Sequence, residues 1–97
     1  SRQIGDLFGF QRSLGGQANI LYEAGDLDGA MALHRQEERI CRQLGVIEYL
    51  VSSLGNQAVC LRDMGQVEQA VSKAEEARQL AEKHSLKPVL DWINSII

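Results

Sequence analysis

Apolar residues recur along the chain at steps of three and four positions, which is the spacing of one face of an α-helix. The pattern predicts five helices, over residues 7–24, 27–44, 47–64, 67–83 and 86–97. Gly25 and Gly45 follow two of these runs, where a left-handed residue commonly ends a helix. Asp26 is suited to cap the second helix, and Pro88 fits the first turn of the fifth. The chain is therefore predicted to be all-α.

The first two predicted helices each have an apolar face, and the second also has a charged stretch. The first face consists of Leu7, Phe10, Leu14, Ala18 and Leu21. The second consists of Leu27, Ala30, Met31, His34, Cys41 and Leu44. Residues 35–39 of the second helix are rich in Arg and Glu, and we expect this stretch to form a charged outer face.

The segment 13–30 is echoed 40 residues later by the segment 53–70. Identical pairs are Ser13/Ser53, Leu14/Leu54, Gly15/Gly55, Gln17/Gln57, Ala18/Ala58, Leu21/Leu61, Gly25/Gly65 and Ala30/Ala70. A fixed offset of this length is typical of helical repeats. It predicts one repeat over 7–45, a second over 46–85 and a final helix over 86–97 that covers the second repeat. Residues 1–5 match the end of the second helix, so we expect them to end a preceding repeat.

Two helices per repeat, a Gly-Asp or Gly-Gln turn and small residues at set positions resemble the tetratricopeptide repeat. The matching positions are Ala18, Leu21, Gly25 and Ala30, and again Ala58, Leu61, Gly65 and Ala70. The offset of 40 residues is similar to the longer variant in LGN/Pins-type spindle-orientation proteins and kinesin light chains. The resemblance implies an α-hairpin solenoid of two helix pairs and a capping helix, acting as a protein-binding scaffold or adaptor.

The chain departs from the family pattern at two kinds of position. Glu37 stands where the family usually has a small alanine, whereas the equivalent Ala77 fits. The proline that commonly ends each repeat is absent at both repeat ends. HEAT-type repeats have a similar period, and they remain the alternative, although their usual proline and charged positions are not evident here.

The overall charge argues against a nucleic-acid partner. Ten basic residues are interspersed with thirteen acidic ones, for a net charge of −3, and no basic cluster is present. No apolar run approaches the roughly 20 residues needed to span a membrane, so we expect no membrane partner. We interpret Cys41 and Cys60 as small buried residues of a reducing compartment and predict a cytoplasmic protein. A disulfide or reactive thiol is the alternative.

No pattern of catalytic residues emerges, and we predict that the protein is not an enzyme and carries no cofactor or metal. Glycine-rich phosphate loops and the common serine-hydrolase and zinc-protease motifs are absent. His34 lies on an apolar face, where a core histidine is more common than a general base. His34 and Cys41 are too few to form a zinc site.

The resemblance implies that the first helix of each repeat lines a concave surface that binds a peptide or helix. The corresponding residues are Arg12, Gly15, Gly16, Asn19, Tyr22, Glu23, Ser52, Gly55, Asn56, Val59, Arg62 and Asp63. Asn19 and Asn56 coincide with the two asparagines of the family's carboxylate clamp for chaperone tails, but the clamp's basic residues are missing. Alternatively, Gly15 and Gly55 serve only to let adjacent helices pack closely.

The two ends of the predicted array suggest a different function. Repeat arrays usually need three or more repeats and polar ends, whereas this chain has two repeats and apolar ends. The residues concerned are Leu7, Phe8, Phe10, Trp92, Ile96 and Ile97. Covering such side chains is worth roughly 1.5–3 kcal/mol each. The alternative function is therefore self-association of the chain into a homo-oligomer through these ends.

Overall fold

A computed structural model describes residues 4–96, and five α-helices account for most of them. They are α1 (Ile4–Glu23), α2 (Leu27–Leu44), α3 (Ile47–Asp63), α4 (Val67–Lys83) and α5 (Lys87–Asn94). The prediction of an all-α chain is confirmed. The helix predicted over 86–97 is shorter, because α5 ends at Asn94. Of the predicted end of a preceding repeat, residues 1–3 lie outside the described residues, whereas Ile4 and Gly5 belong to α1.

The four connections between helices share one backbone geometry. Their left-handed residues are Gly25, Gly45, Gly65 and Ser85, with φ between 57° and 90°. After each of them, the next amide donates a hydrogen bond to the carbonyl five residues earlier, as from Asp26 to Leu21 and from Leu86 to Ala81. Such bonds satisfy carbonyl groups at a helix end and stop the helix abruptly. Each new helix starts two residues after the left-handed one.

Odd-numbered and even-numbered helices form two layers. In the first layer, Tyr22 of α1 donates a hydrogen bond to Asp63 of α3, and α3 also contacts α5. In the second, Arg42 of α2 reaches Glu76 of α4, with 2.7 Å between nitrogen and oxygen. The molecule measures 18 Å along its shortest axis, about the thickness of two packed helices.

Two groups of buried apolar residues lie between the layers. One joins α1 to the loop-proximal ends of α2, α3 and α4, through Ala18, Ala30, Met31, Cys60, Leu61 and Ala70. The other lies farther along the chain and includes Leu50, Val51, Leu54, Ala58, Ala77, Ala81, Ile93 and Ile96. Alanine is the most frequent residue in the two groups, and its small side chain lets helix axes approach closely.

Residues 35–39 do not form a wholly charged outer face, so that prediction is wrong for Glu37. Glu37 is buried, and its Oε1 lies 3.0 Å from Nδ1 of the buried His34. Its Oε2 lies beside Gly15 of α1, only 2.7 Å from the place where a Cβ would stand. The missing side chain at Gly15 therefore provides the room for a glutamate where the resembled family has alanine.

The left-handed conformation of Ser85 generates a stability prediction. At φ 57° an L-residue costs roughly 1–2 kcal/mol, whereas glycine adopts it freely and loses about 0.5–1 kcal/mol of backbone entropy. We expect Ser85→Gly to raise the free energy of unfolding by about 0.5–1 kcal/mol, measured by urea unfolding. Ser72→Gly, in the exposed middle of α4, should instead lower it by about 0.5 kcal/mol. A destabilised Ser85→Gly variant would contradict the shared turn geometry.

Candidate functional site

The candidate site is a cavity of about 240 Å³ on the layer formed by α1, α3 and α5. Its walls are contributed by residues far apart in sequence: Asn19, Tyr22, His34, Asn56, Val59, Cys60 and Trp92. The mixture of two carboxamides, a phenol, an indole and aliphatic surface is typical of a binding site for an organic group with polar ends.

Four of the predicted concave-face residues line this cavity, namely Asn19, Tyr22, Asn56 and Val59. Ser52 lines a separate hollow next to Tyr49 and Pro88. Three others are exposed on α1 outside the cavity, namely Arg12, Gly16 and Glu23. The cavity therefore brings together only four of the predicted concave-face residues, and the others lie outside its lining.

Gly55 is not an open part of the predicted concave face, because side chains of α5 pack against it. A Cβ at this position would stand 2.5 Å from the Trp92 ring and 2.6 Å from Cδ1 of Ile93. The space beside Gly15 is likewise filled, in this case by the carboxylate of Glu37. Both glycines admit a neighbouring side chain, which supports the interpretation that they serve close helix packing. By contrast, a Cβ added at Gly16 would meet nothing within 4 Å.

Arg62 and Asp63 connect the edge of the cavity to the end of the chain. The Arg62 guanidinium donates to the carbonyl of Ile96 at 2.8 Å, and its Nε donates to Asp63 at 3.2 Å. Asp63 in turn accepts the hydroxyl of Tyr22. This network of charged and neutral hydrogen bonds ties α1, α3 and the segment after α5 together, so Arg62 positions other residues of the site.

Hydrogen bonding shifts the pKa values of two residues in this network. The hydrogen bond from Tyr22 holds the pKa of Asp63 below its usual value, with further help from Arg62. The same bond raises the pKa of Tyr22, since the bond is lost when the phenol ionises, and burial acts in the same direction. Across the pH range of the cell, Tyr22 is therefore a neutral donor and Asp63 an anion.

The sequence places Trp92 at an uncovered apolar end, whereas the structure places it in the wall of the cavity. It is 37% exposed, with one part of the ring against Gly55. His34 and Cys60 also line the cavity, although the sequence marks His34 only as an apolar-face residue and Cys60 only as a small buried residue. The sequence signal for Trp92 is its position 40 residues beyond Ser52, which places it in register with the predicted concave-face residues.

The other predicted end residues have different surroundings. Leu7 and Phe8 are half-buried, and the Phe8 ring meets Tyr49 edge-on with 6.5 Å between centroids. Phe10 is exposed, whereas Ile96 is buried in the core. Ile97 lies outside the described residues. An uncovered apolar surface therefore exists around Phe10, but Ile96 is not part of one.

Both cysteines are free and buried. Burial raises the pKa of Cys41 to about 11, with Glu37 and Glu38 adding to the effect. Burial also raises the pKa of Cys60. Both thiols stay protonated at neutral pH, which makes them poor nucleophiles and poor metal ligands.

Residues 4–96 contain no group of three or more His, Cys, Asp or Glu side chains that could hold a metal ion. Within the same range, no helix is both long and apolar enough to cross a lipid bilayer. Compared with protein-family models, curated proteins and solved structures, the chain gives no significant match in any of the three.

The contrast between two glycine positions generates a prediction. Gly55→Ala should push Trp92 and Ile93 away and lower the free energy of unfolding by about 1–3 kcal/mol. Because Trp92 is the sole tryptophan, its fluorescence spectrum should change at the same time. Gly16→Ala, which meets open space within α1, should instead raise the free energy of unfolding by about 1 kcal/mol. Equal effects at the two positions would contradict the packing of α5 on Gly55.

The Tyr22–Asp63 hydrogen bond generates a prediction about pH. A lowered folded pKa of Asp63 contributes stability above its unfolded value near 4, and this is lost as the pH falls through the folded pKa. A raised folded pKa of Tyr22 contributes stability below about 10, and this is lost as the pH rises through the folded pKa. Tyr22→Phe should reduce the pH dependence of unfolding in both windows.

Direct titration provides the check. The chain has two tyrosines, so in a Tyr49→Phe background the ultraviolet absorbance of tyrosinate reports Tyr22 alone. Adding Asp63→Asn should lower the pKa of Tyr22. Tyr49→Phe by itself should leave the Tyr22–Asp63 hydrogen bond intact, because Tyr49 takes no part in it. A Tyr22 titration insensitive to Asp63→Asn would rule the bond out.

Proposed function

We propose that the chain is a non-catalytic protein-interaction module that binds a peptide on the face formed by α1, α3 and α5. The observation that carries the proposal is the convergence of Asn19, Asn56 and Trp92 from three different helices on one cavity. These three elements are separated in sequence, so only a rigid arrangement of the helices keeps their side chains together. The module would serve as part of a scaffold or adaptor.

We further propose that the fold is a solenoid of α-hairpins similar to tetratricopeptide repeats. Three features support this proposal. Left-handed residues recur at 25, 45, 65 and 85. Residues about 40 positions apart touch, as in the contacts from Tyr22 to Asp63 and from Phe8 to Tyr49. The sequence identities at an offset of 40 residues fall on equivalent helix positions.

The chemistry of the cavity suits an extended peptide. A carboxamide offers both a donor and an acceptor, so Asn19 and Asn56 can each pair with a peptide backbone group. The exposed part of Trp92 gives a flat apolar surface for a side chain of the ligand. With no lysine or arginine lining the cavity, a carboxylate clamp is not supported. We therefore propose recognition of an internal peptide segment rather than a chain terminus.

The environment of the cysteines supports two parts of the proposal. Their raised pKa values argue against a cysteine nucleophile, and His34 already binds Glu37 through Nδ1. Two free buried thiols are also consistent with a reducing compartment such as the cytoplasm. Self-association through the apolar ends has less support, because Ile96 is buried and Trp92 packs on Gly55.

Selection of random peptides displayed on phage against the whole chain tests the proposed function. We expect selected peptides to bind the protein and to change the fluorescence of Trp92. Asn19→Ala and Asn56→Ala should each weaken binding about five- to tenfold, since each removes one or two hydrogen bonds. Arg62 is a poor choice for this test, because its loss also releases the segment at Ile96.

Gln79→Ala is the matched control, since Gln79 is an exposed carboxamide on α4, in the other layer. It should leave peptide binding unchanged. The proposal fails if no peptide is selected, or if selected peptides bind equally well to the Asn19→Ala and Asn56→Ala variants.

A further inference from the structure

A surface on α1 has the same residue pattern as the face of α3 that packs against α2. On α3, the stripe of Leu50, Ser53, Gln57 and Cys60 faces α2 and is fully buried. Leu50 packs in the same core group as Cys41, and Cys60 packs with Ala30 and Met31. This α3 stripe is an example of the side chains through which one helix packs against the preceding helix in this fold.

The centre of that interface is polar. The Ser53 hydroxyl donates to the backbone carbonyl of His34 at 2.8 Å. Gln57 Nε2 donates to the carboxylate of Glu38 at 2.8 Å and lies 3.4 Å from the Ser53 hydroxyl. A serine and a glutamine four residues apart thus capture one carbonyl and one carboxylate of the neighbouring helix. The carboxylate lies four residues after the carbonyl on α2.

The same stripe occurs on α1, where no helix within residues 4–96 covers it. Moving back 40 residues, Leu50, Ser53, Gln57 and Cys60 correspond to Phe10, Ser13, Gln17 and Ile20. Phe10 is 45% exposed and Ile20 is 68% exposed, against 4% for Leu50 and 1% for Cys60. We call the residues Phe10, Ser13, Gln17 and Ile20 the α1 stripe.

The polar pair of the α1 stripe already has the arrangement seen in the filled interface. Gln17 Nε2 donates to the Ser13 hydroxyl at 3.0 Å, as Gln57 approaches Ser53. Neither side chain has another hydrogen-bond partner within residues 4–96. The Ser13 hydroxyl hydrogen and the second Nε2 hydrogen therefore remain available as donors, between two exposed apolar side chains.

We infer that the α1 stripe is a docking site for an α-helix of a partner protein that carries a glutamate or aspartate in the middle of its apolar face. Phe10 and Ile20 contact the apolar turns of that helix. Between them, Ser13 binds a backbone carbonyl and Gln17 binds the carboxylate four residues farther on. The partner helix therefore has the chemistry of α2 from Met31 to Glu38.

In a second copy of the chain, α2 and α4 do not meet this requirement at the equivalent positions. The matching face of its α2 is buried beneath its own α3. On its α4, Ala74 and Arg78 stand at the positions of His34 and Glu38, so a cation rather than a carboxylate occupies the position of Glu38. Arg78 is also occupied by Glu75 and Glu82 within the same helix. Neither α2 nor α4 of a second copy therefore presents a carboxylate at the position of Glu38.

This site is independent of the proposed peptide cavity, since the two share no residue. The probe is a synthetic peptide with the sequence of residues 26–45, held helical by a hydrocarbon bridge between positions 35 and 39. Those two positions are exposed in the folded chain, so the bridge leaves the binding face untouched. Binding of the labelled peptide to the whole chain is measured by fluorescence anisotropy.

We expect one peptide to bind per chain, with Gln17→Ala weakening binding about tenfold. A peptide carrying Glu38→Ala should bind about tenfold more weakly to the unaltered protein. This altered peptide should not distinguish the Gln17→Ala protein from the unaltered one, because the two changes remove the same contact. Ile20→Ala should also weaken binding, whereas the Gln79→Ala and Asn56→Ala variants should bind as the unaltered protein does.

Three results would overturn the inference. The first is absence of binding at millimolar peptide concentrations. The second is binding that is insensitive to Gln17→Ala, which would mean that the peptide replaces α2 within the fold. The third is a dimer in light scattering that dissociates on Gln17→Ala, which would make a second copy the occupant of the α1 stripe. Loss of binding to phage-selected peptides in the Asn56→Ala variant, with this peptide still bound, would separate the two sites.

Discussion

The arrangement of this chain depends on the left-handed residue that ends each of the first four helices. That residue limits every connection to two or three residues, so each helix must fold back against the one before it. Since the turns fall at equal intervals, odd helices come to lie beside odd helices and even beside even. A cavity lined by α1, α3 and α5 is a consequence of this spacing. Ser85 shows that the conformation is retained even where glycine is absent.

Close packing at one glycine distinguishes the hairpin of α1 and α2 from the hairpin of α3 and α4. The sequence has glycine at the same register position in both, but the space is used differently. Beside Gly15 it accommodates the carboxylate of Glu37, and beside Gly55 it accommodates the Trp92 ring. The first hairpin thus has a buried polar cluster around His34, whereas the second is covered by an aromatic residue that extends to the cavity.

Much of the fold could be predicted from the sequence, because periodicity and glycine position are local signals. The bounds of α2 and α4 agree with the prediction, and Asp26 caps α2 by accepting the Gly29 amide at 3.0 Å. The burial of Glu37 could not be predicted in this way, since it depends on a missing side chain on another helix. The exposure of Phe10, by contrast, agrees with its predicted place at an uncovered apolar end. For the site, the register identified Asn19 and Asn56, but the direction of Trp92 depends on how α5 packs.

The docking of α5 on Gly55 is the contact that completes the cavity, and nuclear Overhauser effects in solution test it most directly. This packing predicts cross-peaks from the ring protons of Trp92 to the α-protons of Gly55, and from Ile93 methyl protons to the same glycine. It also predicts helical chemical shifts from Lys87 to Asn94. Random-coil shifts in that segment, with no contact between Trp92 and Gly55, would contradict this packing of α5, because the cavity would then lack its third wall.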